Sequence, residues 1–182
     1  MAIIHHTTMH PSKLELLARW LPEQAWFPGT GDGLTRAGGF RLDDPDDKVG
    51  IEFMVVLTSN GAPCLAPMTY RGAPHDGADD ALIGTAEHGV LGTRWVYDGE
   101  HDPVLLAQLA ALLRGEALAQ AQSRSNTPDP TVLVRPWHSV RSIHIRRLLS
   151  EGGAPAPDGG YVSATWQRAD GTVARGIVAS TT

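Results

Sequence analysis

Chemistry in this chain would have to come from a few side chains. Glu87-His88 sits in a Gly-flanked stretch, and an imidazole beside a carboxylate is a general acid–base unit near neutral pH. No neighbouring motif supplies a nucleophile or an oxyanion hole for it. Glu52 is the one charge in the apolar run Ile51–Leu57, so burial would require a partner, and Arg41 or Arg71 on adjoining strands is the expected one. Glu87, His88 and Glu52 are therefore the candidates for catalysis. His5, His6 and His10 cluster at the start, but adjacent strand residues point to opposite faces, so they do not converge on a metal. Asp43-Asp44-Pro45-Asp46-Asp47 lacks the glycine and distal glutamate of a calcium loop and reads as a solvated acidic turn. Asp76, Asp79 and Asp80 read the same way. Cys64 has no activating neighbour, Gly29-Thr30-Gly31-Asp32-Gly33 lacks the Lys-Ser/Thr ending of a phosphate loop, and His138-Ser139 has no third member for a triad. No metal and no cofactor is expected. Trp20, Gln24, Trp26 and Phe27 form the densest aromatic group. Such a group either seals a helix onto a sheet or presents a surface to a sugar ring or a protein.

The elements that would position these residues follow from composition and spacing. Of 182 residues, 20 are Gly and 13 Pro, which predicts many turns; the single Cys excludes a disulfide framework within the chain. Residues 1–122 hold 16 acids and 8 bases, and residues 123–182 hold 4 acids and 7 bases. Two such surfaces attract each other, within a chain or between chains. The basic excess is too small for nucleic acid. No apolar run reaches membrane-spanning length and the start does not read as a secretory signal, so a cytoplasmic protein is expected.

The opening Ile3–His10 reads as a short strand. Ser12-Lys13-Leu14-Glu15 is a capping box, and Leu14, Leu17, Ala18 and Leu21 give the following helix one apolar stripe that Pro22 stops. Residues 37–42 predict a bulged strand, and 51–57 a central strand covered on both faces. Ser59-Asn60-Gly61 predicts a hairpin turn into 64–71, where Pro67 marks an edge or a bulge. Strands near 81–84 and 94–98 precede a helix that Asp102 caps and Pro103 opens. Residues 123–130 read as a linker, and Asp170-Gly171 joins the last two strands. The fold expected is α+β: a curved antiparallel sheet on one or two helices over 1–122, the linker, and a β-rich module over 131–182 that stands alone or extends the sheet.

Trp20-Leu21-x-x-Gln24-x-Trp26-Phe27-x-Gly29 resembles the Trp-Leu-x-x-Gln-Arg-Trp-Tyr-x-Gly segment that opens bacterial maltokinases. Leu82-Ile83-Gly84, Tyr97-Asp98 and Asp102-Pro103 before a Leu-rich helix match the order of those enzymes' N-terminal cap domain. The resemblance covers about residues 1–122 and implies a cystatin-like cap. The family's enzymes use ATP and Mg²⁺ to phosphorylate maltose, feeding trehalose and α-glucan metabolism. Here Ala25 stands where the family has Arg, and neither kinase lobes nor a His-Gly-Asp-x-x-x-x-Asn segment occur in these residues. Phosphoryl transfer needs a phosphate cradle, a metal and a placed base, so the resemblance implies fold rather than catalysis. The expectation is a stand-alone, non-catalytic cap-like protein that binds an enzyme of maltose, trehalose or α-glucan metabolism, or a sugar ligand, through Trp20, Gln24, Trp26 and Phe27. Two alternatives remain open. One is a small carbohydrate-acting enzyme using Glu87, His88 and Glu52. The other is a homodimer joined at the edge near Pro67 or at the C-terminal hairpin.

Overall fold

The computed structural model describes residues 9–124, 126–152 and 158–182; His5, His6 and most of the predicted opening strand lie outside them. In chain order the elements are β1 (Met9–His10), α1 (Lys13–Trp20), β2 (Thr35–Leu42), β3 (Gly50–Leu57), β4 (Pro63–Arg71), β5 (Leu82–His88) and β6 (Gly92–Asp98). They continue as α2 (Pro103–Arg114), β7 (Gln120–Ala121), β8 (Leu133–Arg135), β9 (Ile143–Ile145), β10 (Tyr161–Gln167) and β11 (Val173–Thr181). All described strands belong to one antiparallel sheet in the order β1-β5-β6-β4-β3-β2-β10-β11-β9, with β7 on β2 and β8 on β10.

Local chemistry sets the ends of both helices. The Glu15 amide donates to Ser12 Oγ at 3.3 Å while the Ser12 amide donates to the Glu15 carboxylate at 2.7 Å, the reciprocal pair of the predicted box. Ser12→Ala removes half of it, and chemical unfolding should register a loss of about 1 kcal/mol. Asp102 accepts the Val104 amide and Pro103 fills the first helical position of α2. Gly115, at φ 77°, ends α2, so the helix does not run on toward Gln122.

β3 is buried from Ile51 to Leu57 and has core on both sides. On one side α2 lays Leu105, Leu109, Leu112 and Leu113 over Phe40, Phe53 and Val55, with Trp166 and Val178 from the C-terminal strands completing the cluster. Phe40 and Phe53 stack at 4.6 Å, nearly parallel. On the other side α1 brings Leu16, Leu17, Trp20 and Leu21 onto Met54, Val56, Ala66, Met68 and Val96. Each buried leucine contributes roughly 1.5–3 kcal/mol, so both helices are held by their faces rather than by propensity.

One expectation needs correcting. β4 is neither an edge strand nor bulged in its register with β3, because β3 pairs one flank along its full length and β6 pairs Met68–Arg71 on the other. The rest of the outer flank takes residues 147–149: the Leu65 amide donates to the Arg147 carbonyl at 2.8 Å, the Leu149 amide to the Pro63 carbonyl at 3.0 Å, and Cys64 bridges to Leu148. Strand alternation turns the nitrogen of Pro67 to that same outer flank, between the last rung of β6 and the 147–149 segment, where the absent N–H breaks no ladder bond. Described residues in and beside the predicted 123–130 linker make backbone hydrogen bonds. The Ala121 amide donates to Thr127 and the Asp129 amide to Ala119, folding it back on β7.

The C-terminal strands join the sheet through one rung between β2 and β10, Gly38 opposite Trp166. This contact sits at the predicted β2 bulge, and a Cβ on Gly38 would lie 2.8 Å from the Thr165 carbonyl oxygen. Only glycine lets the two backbones approach so closely.

Candidate aromatic docking surface

α1 passes directly into a short 3₁₀ turn over Leu21–Glu23, and this turn aims the aromatic group. The Gln24 side-chain amide donates to the Trp20 carbonyl at 3.2 Å, and the Phe27 amide donates to the Gln24 carbonyl at 3.0 Å. Gln24 therefore fastens the turn. Trp20 is buried under the sheet; Trp26 and Phe27 are only half-buried. Trp20, Trp26 and Phe27 meet edge-to-face, with centroids 6.3 and 6.0 Å apart. Within the group Trp20 seals the helix onto the sheet, and Trp26 and Phe27 are partly exposed.

Arg147 comes to this group from far along the chain. Its guanidinium carbon lies 5.2 Å from the centre of the Trp26 ring. One Nη2 donates to both oxygens of Asp98 at 2.6 Å, and Nε donates to Glu100 at 2.9 Å. Arg147 and Asp98 are both buried, whereas Glu100 is 40 % exposed. Nη1 has no hydrogen-bond partner among the described residues, while the guanidinium as a whole lies over the Trp26 ring. The basic C-terminal part and the acidic first part of the chain attract each other here, within one molecule. Nothing in the local sequence around Arg146-Arg147 marks the second arginine as the buried one.

Glu52 is buried as expected, but its partner is Lys13, whose Nζ lies 2.5 Å away. Tyr70 donates its hydroxyl at 2.6 Å and Gln122 its side-chain amide at 2.9 Å; Arg36 in turn donates to Gln122. Burial pushes the Glu52 carboxyl up, yet the Lys13 charge and the hydrogen bonds from Lys13 and Tyr70 outweigh it and hold the group below its usual range. Burial and the Glu52 charge push the Tyr70 phenol well above its own. The arginines first considered work elsewhere. Arg41 donates to the Ala121 carbonyl, and Arg71 pairs with the buried carboxylate of Asp102 at 2.8 and 2.9 Å.

Glu87 and His88 lie at the end of β5 rather than in a loop. Glu87 accepts the Thr93 hydroxyl at 2.6 Å, and His88 Nδ1 accepts the Val90 and Leu91 amides. β6 and β4 stand between β5 and β3, so the Glu87–His88 pair is three strand spacings across the sheet from Glu52, roughly 14 Å, and lies about five residues further along the strands. The structure does not bring the three candidate catalytic residues together. In the acidic turn, Asp44 is buried and accepts the amides of Asp46, Lys48 and Val49, so it caps the turn from inside. Among the described residues no group of three His, Cys, Asp or Glu side chains is placed to hold a metal. No described helix is long and apolar enough to cross a membrane.

Residues 20–102 match the maltokinase N-terminal cap domain. The match opens on Trp20 and closes on Asp102, the cap of α2. It contains the whole aromatic group, Glu52 and the Asp98–Glu100 side of the Arg147 clasp. It is narrower than the resemblance expected over 1–122: most of α1, with Lys13, precedes it, and α2 and Arg147 follow it. The cap region therefore supplies the carboxylates, and residues beyond it supply the arginine. No curated protein matches the chain.

Proposed function

We propose that this protein is a non-catalytic accessory protein of maltose, trehalose and α-glucan metabolism. It docks through the Trp26–Phe27 surface onto an enzyme of that metabolism. The observation that carries this reading is the state of the aromatic pair. Both rings lie in the matched region, half-buried and held edge-to-face, and the arginine over Trp26 also pairs with the partly exposed carboxylate of Glu100. Rigid aromatics anchored at one end and bordered by polar groups are the usual centre of a protein interface. Leu148, which follows the arginine stacked on Trp26, is 49 % exposed and adds apolar area.

The buried acids are engaged in holding elements together, Glu52 with Lys13 and Asp98 with Arg147, which favours docking over turnover. The enzyme reading would need Glu52, Glu87 and His88 in one cleft, and they lie strands apart. For the homodimer reading, the β4 flank at Pro67 is already covered by residues 147–149. The C-terminal hairpin has β8 and β2 on one side and β9 on the other.

Analytical gel filtration and biolayer interferometry with purified maltokinase and trehalose synthase test the proposal. Association at micromolar concentration is expected, weakened at least tenfold, about 1.4 kcal/mol, by Trp26→Ala. Absence of association with every enzyme of that metabolism, or affinity unchanged in Trp26→Ala, overturns it.

A further inference from the structure

The C-terminal strands have a second face, turned away from α2. β8, β10, β11 and β9 lie side by side, and Arg135, Tyr161, Ser180 and His144 are direct partners across them. The neighbouring row, Val134, Val162, Ala179 and Ile145, packs into the α2 core, so the first row points the other way. Further along the same face come Leu133, Ser163 and Ile177, and then Thr165 opposite Arg175. Leu133, Tyr161, Ser163, Arg175 and Ile177 line a cleft of about 270 Å³ there, just below the roughly 300–1,000 Å³ of drug-sized sites.

Arg175 is the only charged side chain in that lining. Its Nη1 donates to the Ser163 hydroxyl at 3.3 Å, and it meets no carboxylate among the described residues. The acids that follow residue 130 are Glu151, Asp158 and Asp170. Glu151 holds Arg168 by two contacts of 2.5 Å, Asp170 accepts the Thr172 amide and hydroxyl, and none of these acids lines the cleft. A half-buried guanidinium whose charge is unanswered selects an anion, and its planar fork matches a carboxylate. A lone cation balances a single negative charge, whereas a phosphate monoester brings close to two. Arg135, a row away on the same face, adds positive field that draws anions in. Around Arg175, Ser163 and Tyr161 carry hydroxyls, while Leu133, 51 % exposed, and Ile177, 4 % exposed, form an apolar wall that suits a short alkyl chain.

We propose that this cleft binds a small aliphatic monocarboxylate, with its carboxylate on Arg175 and its chain against Leu133 and Ile177. Every lining residue follows residue 102, so the site lies outside the matched region. It is independent of the docking reading, which concerns Trp26 and a protein.

The test is calorimetric titration of the full chain with acetate and butanoate, with butanamide as the neutral isostere and inorganic phosphate as the more highly charged anion. Amide NMR spectra recorded alongside locate the response. Saturable butanoate binding is expected, several-fold tighter than acetate, with shifts at Ser163, Arg175 and Ile177 and none from butanamide. Arg175→Gln weakens it at least tenfold, and Arg175→Lys, which keeps the charge without the fork, recovers part of the loss. Leu133→Trp fills the cleft from an exposed position on β8, so folding is kept, and it too weakens binding at least tenfold. Trp26→Ala leaves the affinity unchanged. No saturable binding of either carboxylate, butanamide bound as tightly as butanoate, or phosphate bound more tightly than both carboxylates overturns the proposal. Unaltered affinity in Arg175→Gln or in Leu133→Trp overturns it as well, by placing the anion elsewhere on the molecule.

Discussion

Arg147→Ala lowers the unfolding free energy by about 3–5 kcal/mol, the cost of removing one partner from a buried ion pair. Asp98 has both oxygens on the guanidinium and is 6 % exposed, so truncation leaves a carboxylate with neither its counter-charge nor ready access to water. Trp26 loses the cation over its ring at the same time. At roughly 2–4 °C per kcal/mol for a chain of this size, the melting temperature falls by roughly 6–20 °C. Arg147→Lys restores the charge but not the fork that serves Asp98 and Glu100 together, so it recovers part of the loss. A double-mutant cycle with Asp98→Ala separates the pair from its surroundings: a coupling energy of at least about 1.5 kcal/mol is expected. Additive single losses would show that Arg147 works only through packing.

Lys13→Met should cost about 2–3 kcal/mol near neutral pH, less than a fully buried pair because Lys13 is 39 % exposed and Tyr70 and Gln122 still serve Glu52. The pH dependence is the sharper test. In the native protein the Glu52 carboxyl titrates below its unfolded value, so its contribution is present above that value and is lost as pH falls through the folded one. Without Lys13, burial, the largest influence, is opposed only by the Tyr70 hydrogen bond and the Arg36 charge, and the carboxyl moves upward. The penalty then grows as pH rises from the unfolded value to the new folded one, and fades below the unfolded one. Urea unfolding near pH 7 and near pH 4 should therefore show the gap between variant and parent closing in acid. A gap of constant size would mean that Lys13 acts through its aliphatic stem against Tyr70 rather than through charge.

What was legible in the sequence is what a few adjacent residues decide. The Ser12 box, the Asp102-Pro103 start and the Asp170-Gly171 turn all appear where expected, because each is a local hydrogen-bonding arrangement closed within five residues. The two-sided burial of β3 was legible as an unbroken apolar run. Contacts closed over long separations were not. Glu52 finds Lys13 39 residues before it and Gln122 70 residues after it, whereas Arg41, its cross-strand neighbour, turns to a carbonyl. Pro67 misled for a related reason. A missing donor tells which flank of a strand lies between two partners, not that the strand has only one. The aromatic group was found from its density, but the arginine stacked on it has no local signature, since its burial depends on carboxylates 47 and 49 residues away.

The covering of β4 by residues 147–149 gives the molecule its own labelling clock. Cys64, the only thiol in the chain, pairs side by side with Leu148 of that segment and is fully buried in the core under α1, and burial pushes it up to about 11. A maleimide or disulfide reagent meets a thiolate there only when the structure around Cys64 opens. The modification rate of the untouched protein therefore counts those openings directly, in a chain that needs no engineered probe.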